Sequence, residues 1–194
     1  MTKDEQIESL QEQVKTLLEV NKNLEQAYEA KIAGANGRII LVGPTCSGKT
    51  YLRNRLEDKG FECDVSYTSR EKRPGEIDKR HYHFIGKKQF ETLIAGDFFY
   101  EWVEYNGNYY GTGQREWDEL PLFIMETDGV KHIKEEDRRN CFVIYLDTLE
   151  HERVTRMRVE REWDYDTIRK RIETDKAKFD NFTDYDMKIT DAYF

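Results

Sequence analysis

Residues 38–50 decide the fold, and they read RIILVGPTCSGKT. An apolar run at 39–42 has the composition of a buried strand, and a helical pattern follows at 51–59. Between them, residues 43–50 match G-x-x-x-x-G-K-[ST], so strand, glycine loop and helix occur in the order that a phosphate-binding loop requires. The stretch predicts a nucleoside triphosphate site built from Gly43, Pro44, Thr45, Cys46, Ser47, Gly48, Lys49 and Thr50.

The residue types inside this loop suit phosphate chemistry. Its glycines let successive backbone N–H groups point at phosphate oxygens, and we expect Lys49 to reach the β and γ phosphates. We expect the Thr50 hydroxyl to bind Mg²⁺. Cys46 lies close to the start of a helix, where a thiol pKa can fall, but the four x positions tolerate many residues, so we interpret Cys46 as a filler.

Strand and helix patterns alternate along the rest of the chain. Further strand patterns occur at 61–66, 122–126, 141–146 and 186–190, and helical patterns at 129–135, 149–158 and 165–180. This alternation predicts an α/β fold with a mainly parallel sheet. Residues 67–113 depart from it, because they are rich in Tyr and Phe and have strand-like segments at 81–85 and 98–105 around a helical segment at 87–95. We expect this stretch to be an inserted mixed β subdomain that closes over the carboxyl edge of the sheet.

Composition limits the class of protein. The 194 residues suffice for one domain with its own core. Lys plus Arg number 31 and Asp plus Glu number 39, which gives a net charge of −8. Such an acidic chain is a poor partner for nucleic acid or an anionic membrane surface, so an anionic ligand needs a local basic site. Three widely spaced cysteines and no run of 18 apolar residues predict a cytoplasmic protein without a disulfide framework or membrane span.

The first 33 residues have a helical pattern of their own. Their core positions follow a heptad, with Ile7, Val14, Asn21 and Tyr28 at one position and Leu10, Leu17 and Leu24 at the other. The pattern predicts a coiled coil that joins a homodimer or small homo-oligomer through residues 1–30. The alternative is an amphipathic helix that packs on its own domain. Residues 34–37, Gly-Ala-Asn-Gly, make a natural hinge before a domain at 38–194.

A second group of polar residues has the chemistry of a phosphate clamp. Arg70 and Arg73 are three residues apart before Pro74, so two guanidinium forks lie near one point. Tyr82 and Tyr110 add neutral donors. The alternative is a solvated basic turn, but aromatic hydroxyls interleaved with arginines suit a concave site better than an open surface.

These residues belong to an ordered set of motifs: SYTSREKRPGE at 66–76, HYHF at 81–84, Glu101-Trp102 and GNYYGT at 107–112. Together with the loop at 43–50, the set resembles the guanylate kinase family, from about residue 38 to the end of the chain. The resemblance implies a three-part fold: a parallel-sheet core with a phosphate-binding loop, an acceptor-binding subdomain at 67–113 and an arginine lid at about 153–171. The N-terminal helix lies outside the resemblance.

The resemblance also implies an acceptor site. The phosphate of GMP or dGMP would be held by Arg70, Arg73, Tyr82 and Tyr110. Guanine has N1–H and N2–H donors beside the O6 acceptor, so a carboxylate paired with a hydroxyl recognises it and disfavours adenine. The residues that match the base-recognising positions of the family are Ser66, Glu101 and Thr112. Glu126 falls where the family usually has the second acid of a D-x-D strand end, and Ile124 stands at the first.

The remaining candidates are catalytic. Phosphoryl transfer is accelerated mainly by cations placed around the transferring phosphoryl group. The candidates in this chain are Lys49, Arg158, Arg161 and Arg171, with Arg156 as the alternative to Arg158. The resemblance therefore implies a nucleotide kinase that uses ATP and Mg²⁺ to phosphorylate GMP or dGMP. Two alternatives stay open: a non-catalytic guanylate-kinase-like interaction module, and a kinase for another nucleoside monophosphate.

Overall fold

The computed structural model describes Lys22, residues 37–105 and residues 107–190. The predicted coiled coil at 1–33 and most of the hinge lie outside this part of the chain, apart from Lys22. In chain order the elements are β1 (Arg38–Val42), α1 (Lys49–Glu57), β2 (Tyr67–Thr68), β3 (His83–Phe84), α2 (Lys87–Ala95), β4 (Phe99–Tyr105), β5 (Asn108–Gly113), α3 (Gln114–Glu119), β6 (Leu122–Ile124), α4 (Thr127–Lys131), α5 (Glu135–Arg138), β7 (Cys141–Leu146), α6 (Glu150–Val159), α7 (Tyr165–Phe179) and β8 (Met187–Ile189).

The core is a parallel four-stranded sheet in the order β6-β1-β7-β8. Its two central strands, RIILV and CFVIYL, are buried at every position, as expected of strands covered on both faces. On one face, Leu52 and Leu56 of α1 pack against Ile39 and Leu41. The opposite face is covered by residues from α3, α4 and α7, with Trp117 among the most deeply buried. The predicted α/β core is confirmed.

The second sheet is formed entirely within residues 67–113 and has the order β3-β2-β5-β4. Strands β2 and β3 are parallel, while the other pairs are antiparallel, so the sheet is mixed, as predicted. Helix α2 covers it through Phe90, which is fully buried and stacks on Phe99 at 4.3 Å between ring centroids. The bounds of α2, residues 87–95, are those that the sequence predicts.

Two predicted elements differ from the structure. The strand predicted at 61–66 is wrong, because only Cys63 pairs with the core sheet, opposite Leu122. The Asp64 N–H still donates to the Leu122 carbonyl oxygen at 2.8 Å, and the chain then leaves the core sheet, since the Ser66 carbonyl oxygen accepts the His83 N–H at 2.9 Å. The helix predicted at 129–135 is divided into α4 and α5, and Ile133 fills the core between them.

No helix among the described residues combines the length and the apolar composition that crossing a membrane requires.

Candidate active site

The phosphate-binding loop connects β1 to α1, and two of its glycines are required by geometry. Gly48 has φ of 99°, a left-handed conformation that side chains disfavour. A Cβ on Gly43 would lie 2.6 Å from both the Leu146 carbonyl oxygen and Ser47 Oγ. The backbone can therefore curl tightly around the space that the sequence assigns to phosphates.

Lys49 folds back into this loop. Its Nζ donates hydrogen bonds to the carbonyl oxygens of Gly43, at 2.5 Å, and Pro44, at 2.9 Å. Burial lowers the pKa of Lys49, and the nearby carboxylates of Glu126 and Asp175 oppose that shift. An ammonium group held by two loop carbonyl oxygens is placed where phosphate oxygens would enter the loop. Thr50, by contrast, is exposed at the start of α1.

The environment of Cys46 does not activate its thiol. Burial raises the pKa of the thiol, and the positive charge of Arg161 only partly offsets this. A thiol with a raised pKa is a poor nucleophile at neutral pH. This environment agrees with the interpretation of Cys46 as a filler.

The loop is fixed from the side by Asp175 of α7, a residue that the sequence analysis missed. Asp175 Oδ2 accepts the Thr45 backbone N–H at 2.9 Å and Arg153 Nη1 at 2.9 Å. Asp175 Oδ1 forms an ion pair with Arg171 Nε at 3.1 Å. Both Asp175 and Arg153 are buried. The only sequence signal was the i,i+4 spacing of Arg171 and Asp175 on one helix.

Arg171 connects the loop to the second sheet. It hydrogen-bonds to the Thr45 hydroxyl, and its Nη1 donates to Tyr105 Oη on β4 at 3.0 Å. Lys178, also on α7, lies 3.6 Å from the centroid of the Tyr105 ring and 3.2 Å from Glu126 Oε2. The structure therefore brings Arg171 and Glu126 to the space between the predicted donor and acceptor sites.

The other lid arginines differ in position. Arg156 Nη1 donates to the Cys46 carbonyl oxygen at 3.0 Å, and the positive charge of Arg161 acts on the Cys46 thiol. Arg158 is exposed near the end of α6. Of the two alternatives at this point of the sequence, the structure brings Arg156, rather than Arg158, to the loop.

The predicted phosphate clamp is assembled around Arg70. Its guanidinium group pairs with both carboxylate oxygens of Glu76, at 3.0 and 2.8 Å, which orients the fork. Burial lowers the pKa of Arg73, and the positive charges of Arg70 and Arg171 lower it further. Tyr82 and Tyr110 meet edge to face at 6.0 Å between ring centroids. Four predicted clamp residues thus face one region, and Arg171 approaches it from the lid.

The predicted base-recognising residues are also close together. Glu101 Oε1 accepts the Thr112 hydroxyl at 2.9 Å, and both residues are buried. A Cβ on Gly129 would lie 3.3 Å from Glu101 Oε2, so α4 packs closely against this carboxylate. Burial raises the pKa of Glu101 to about 7. The Ser66 hydroxyl donates to Asp64 Oδ2 at 2.8 Å, and Asp64 is another residue that sequence analysis did not identify.

Together, the parallel sheet and its glycine loop define a P-loop nucleotide-binding protein with an inserted sheet beside the loop. A family model described as guanylate kinase matches residues 36–194. The guanylate kinase of Bartonella henselae is 33% identical over 160 residues, which are 77% of this chain and 71% of the relative. The guanylate kinase of Vibrio parahaemolyticus is 31% identical over 166 residues, 80% of each chain.

The crystal structure of guanylate kinase from Anaplasma phagocytophilum has the same fold. Its TM-score is 0.59 at 20% sequence identity, over 80% of this chain and 77% of that one. The chain described here belongs to the guanylate kinase family.

Proposed function

We propose that this protein transfers the γ-phosphoryl group of ATP to GMP or dGMP and releases ADP with GDP or dGDP. The observation that carries the proposal is the position of Arg171, which bonds to Thr45 in the donor loop and to Tyr105 on the sheet of the acceptor subdomain. A guanidinium group between the two sites can interact with the phosphoryl group both on the donor and on the acceptor. Family membership supports the same reaction.

The reaction needs no covalent intermediate with the protein, because an oxygen of the acceptor phosphate attacks the γ-phosphorus in line. The protein supplies position and positive charge. Lys49 would hold the β and γ phosphates from inside the loop, and Arg161 and Arg171 would stabilise the charge on the transferring group. Arg156 takes this role in place of Arg158, because it contacts the loop backbone at Cys46.

Magnesium fits the donor set at the start of α1. Among the described residues, no group of three or more His, Cys, Asp or Glu side chains is arranged to hold a metal ion. The exposed Thr50 hydroxyl would be a protein ligand of the ion, with substrate phosphates and water as the other ligands. When bound, Mg²⁺ neutralises charge on the β and γ phosphates.

At the acceptor site, the proposal assigns one group of residues to phosphate and another to guanine. The phosphate group is Arg70, Arg73, Tyr82 and Tyr110, and the guanine group is Ser66, Glu101 and Thr112, with Glu126 near the acceptor nucleoside. The Glu76 carboxylate would keep the Arg70 fork in place until phosphate arrives. Adenine lacks the N1–H and N2–H donor pair, so it would leave the buried Glu101 carboxylate unsatisfied.

The proposal also includes the assembly and the compartment. Self-association through the heptad of residues 1–30 stays part of it, as does a cytoplasmic location. The latter is supported by three cysteines, Cys46, Cys63 and Cys141, which are all free thiols. Free cysteines of this kind are typical of reducing compartments.

The test is a steady-state assay of ADP release against a panel of nucleoside and deoxynucleoside monophosphates. We expect turnover with GMP and dGMP and little with AMP, CMP or UMP. Lys49→Ala should lower kcat by a factor of about 100 or more, because it removes a cation from the phosphates. Its melting temperature should stay close to that of the wild type. Folded protein without turnover on any acceptor would favour the interaction-module alternative.

A further inference from the structure

At the proposed guanine site, both candidate hydroxyl groups already donate their protons to carboxylates. The Thr112 hydroxyl donates to Glu101 Oε1 at 2.9 Å, and the Ser66 hydroxyl donates to Asp64 Oδ2 at 2.8 Å. The first bond suits guanine, because Glu101 remains an acceptor for N1–H and N2–H. The second bond does not, because the O6 atom of guanine needs a donor and the Ser66 proton is committed elsewhere.

Asp64 is poorly placed to carry a negative charge. Its residue exposure is only 7%, and its Oδ1 atom has no hydrogen-bond donor among the described residues. The negative charge of Glu116 acts on Asp64 from α3. Asp64 in turn acts on Glu101 of β4, which is 8% exposed. The other titratable neighbours of Asp64 are Cys63 beside it and Tyr67 on β2, whose hydroxyl donates to Glu116.

Buried carboxylates that lie close together cannot all be ionised without a large electrostatic cost. Burial, with the negative charge of Glu116, raises the pKa of Asp64 to about 7, although hydrogen bonds from the Ser66 hydroxyl and the Val65 backbone oppose the shift. Burial and the charge of Asp64 raise the pKa of Glu101 to a similar value. The two acids therefore behave as a pair that retains a proton near neutrality.

We propose that Asp64 is a positioning residue for guanine recognition and that it holds this proton when guanine is bound. The neutral carboxyl group then donates to Ser66 Oγ, and the Ser66 hydroxyl turns to donate to O6. Glu101 stays ionised and accepts N1–H and N2–H. This inference rests on the proposed function, because it assumes that Ser66 and Glu101 face the acceptor base.

The arrangement makes GMP binding dependent on pH in a defined direction. Above about pH 7, Asp64 loses its proton, Ser66 donates to the carboxylate again and O6 loses its donor. The affinity for GMP should therefore fall as pH rises, by about tenfold between pH 7 and pH 8.5, the usual scale of one lost hydrogen bond to a buried group. On the acid side, affinity is limited by protonation of Glu101.

The experiment is calorimetric titration of the full chain with GMP between pH 6 and pH 9, for the wild type and for Asp64→Asn. An asparagine amide always has N–H donors for Ser66 Oγ and does not titrate. The affinity of the wild type for GMP should fall as pH rises, whereas the affinity of Asp64→Asn should lack this fall. At pH 8.5 the variant should bind GMP about tenfold more tightly than the wild type. The titration of the GMP phosphate is common to both proteins and cancels in their ratio.

Two controls separate recognition from folding. Glu116→Gln removes another nearby carboxyl group but keeps Asp64, so its affinity for GMP should still fall at high pH. The fall should begin at slightly lower pH, because Glu116 no longer raises the pKa of Asp64. IMP has O6 and N1–H but no amino group, so the wild type should bind it more weakly than GMP with the same dependence at high pH. If Asp64→Asn does not fold, Asp64→Ser replaces it, with the same loss of pH dependence expected.

The outcomes are distinct. If the wild type binds GMP and its affinity depends on pH in the same way as that of Asp64→Asn, this inference is overturned and the proposed function stands. A wild-type affinity that is flat from pH 7 to pH 9 would overturn it equally. Failure of the folded wild type to bind GMP at any pH would overturn both proposals.

Discussion

Glu101 has the most informative environment of any single residue in the proposed acceptor site. It is buried, it accepts a hydrogen bond from Thr112, and α4 closes against its second oxygen at Gly129. A buried carboxylate without a cation is costly unless a ligand supplies donors. This environment supports the proposed role of Glu101 in recognising a base with two N–H groups.

Glu101→Gln tests this explanation. The substitution replaces a carboxylate oxygen by an N–H donor, which would face the donors of guanine. We expect the KM for GMP to rise by about 10- to 100-fold, while the KM for ATP stays within about twofold. Glu104→Gln is the matched control, because Glu104 lies on the same strand but is exposed. Equal changes in both Michaelis constants would show that Glu101 is structural.

At the scale of elements, α7 is the part that holds the site together. Through Asp175 it binds the loop backbone at Thr45 and the side chain of Arg153 on α6, and through Arg171 it reaches β4. The Arg153–Asp175 pair is almost completely buried, with the nearest nitrogen and oxygen 2.9 Å apart. Removal of Asp175 leaves the buried Arg153 without its carboxylate partner. Removal of Arg153 leaves Asp175 with Arg171 as a remaining cation.

This pair gives a prediction about stability. Asp175→Leu should lower the free energy of unfolding by about 3–5 kcal/mol, because it leaves Arg153 buried without a carboxylate. Arg153→Met should cost less, because Arg171 still pairs with Asp175, and the double variant should recover part of the Asp175→Leu loss. Denaturant unfolding of the three variants measures this. Arg169→Met is the control on the same helix, because Arg169 and Asp166 are exposed and 3.9 Å apart, and it should change stability by under about 0.5 kcal/mol. Additive losses in the double variant would contradict the prediction.

At the scale of the whole molecule, the donor loop, the clamp and the lid all lie in residues 38–194. The family model begins at residue 36, within the predicted hinge at 34–37. The predicted coiled coil precedes it and lies outside the described residues, so the domain division stays a prediction. About four heptads are marginal for a stable coiled coil, and a polar Asn21 at a core position favours two strands at some cost in stability.

Truncation tests the division. A chain that begins at Ala35 should keep kcat for GMP within about twofold, because no proposed site residue is removed, and its sedimentation mass should fall to that of a monomer. The full chain with Leu17→Glu should dissociate in the same way, since a charge would enter the apolar seam. An unchanged mass after truncation would refute the coiled coil. A loss of turnover would show that the helix packs on the catalytic domain.

The sequence predicted the phosphate-binding loop, the α/β core, the inserted sheet and the bounds of α2. Each is encoded by a local pattern: the glycine motif, an apolar run for a buried strand, or the period of a helix. The strand at 61–66 was mistaken because a local pattern does not show that the chain leaves the core sheet after Asp64 and that the Ser66 backbone bonds to His83.

The sequence by itself determined which chemistry is present, because residue types and their local spacing state which groups can bind phosphate or a base. Tertiary structure decided which of those groups meet. Asp175 contacts Thr45 across 130 residues and Arg171 contacts Tyr105 across 66, and no local pattern reports such pairs. It also decided that Arg156, not Arg158, reaches the loop. Burial has the same origin, since the cost of charge on Asp64 and Glu101 arises only when the folded sheets exclude water from them.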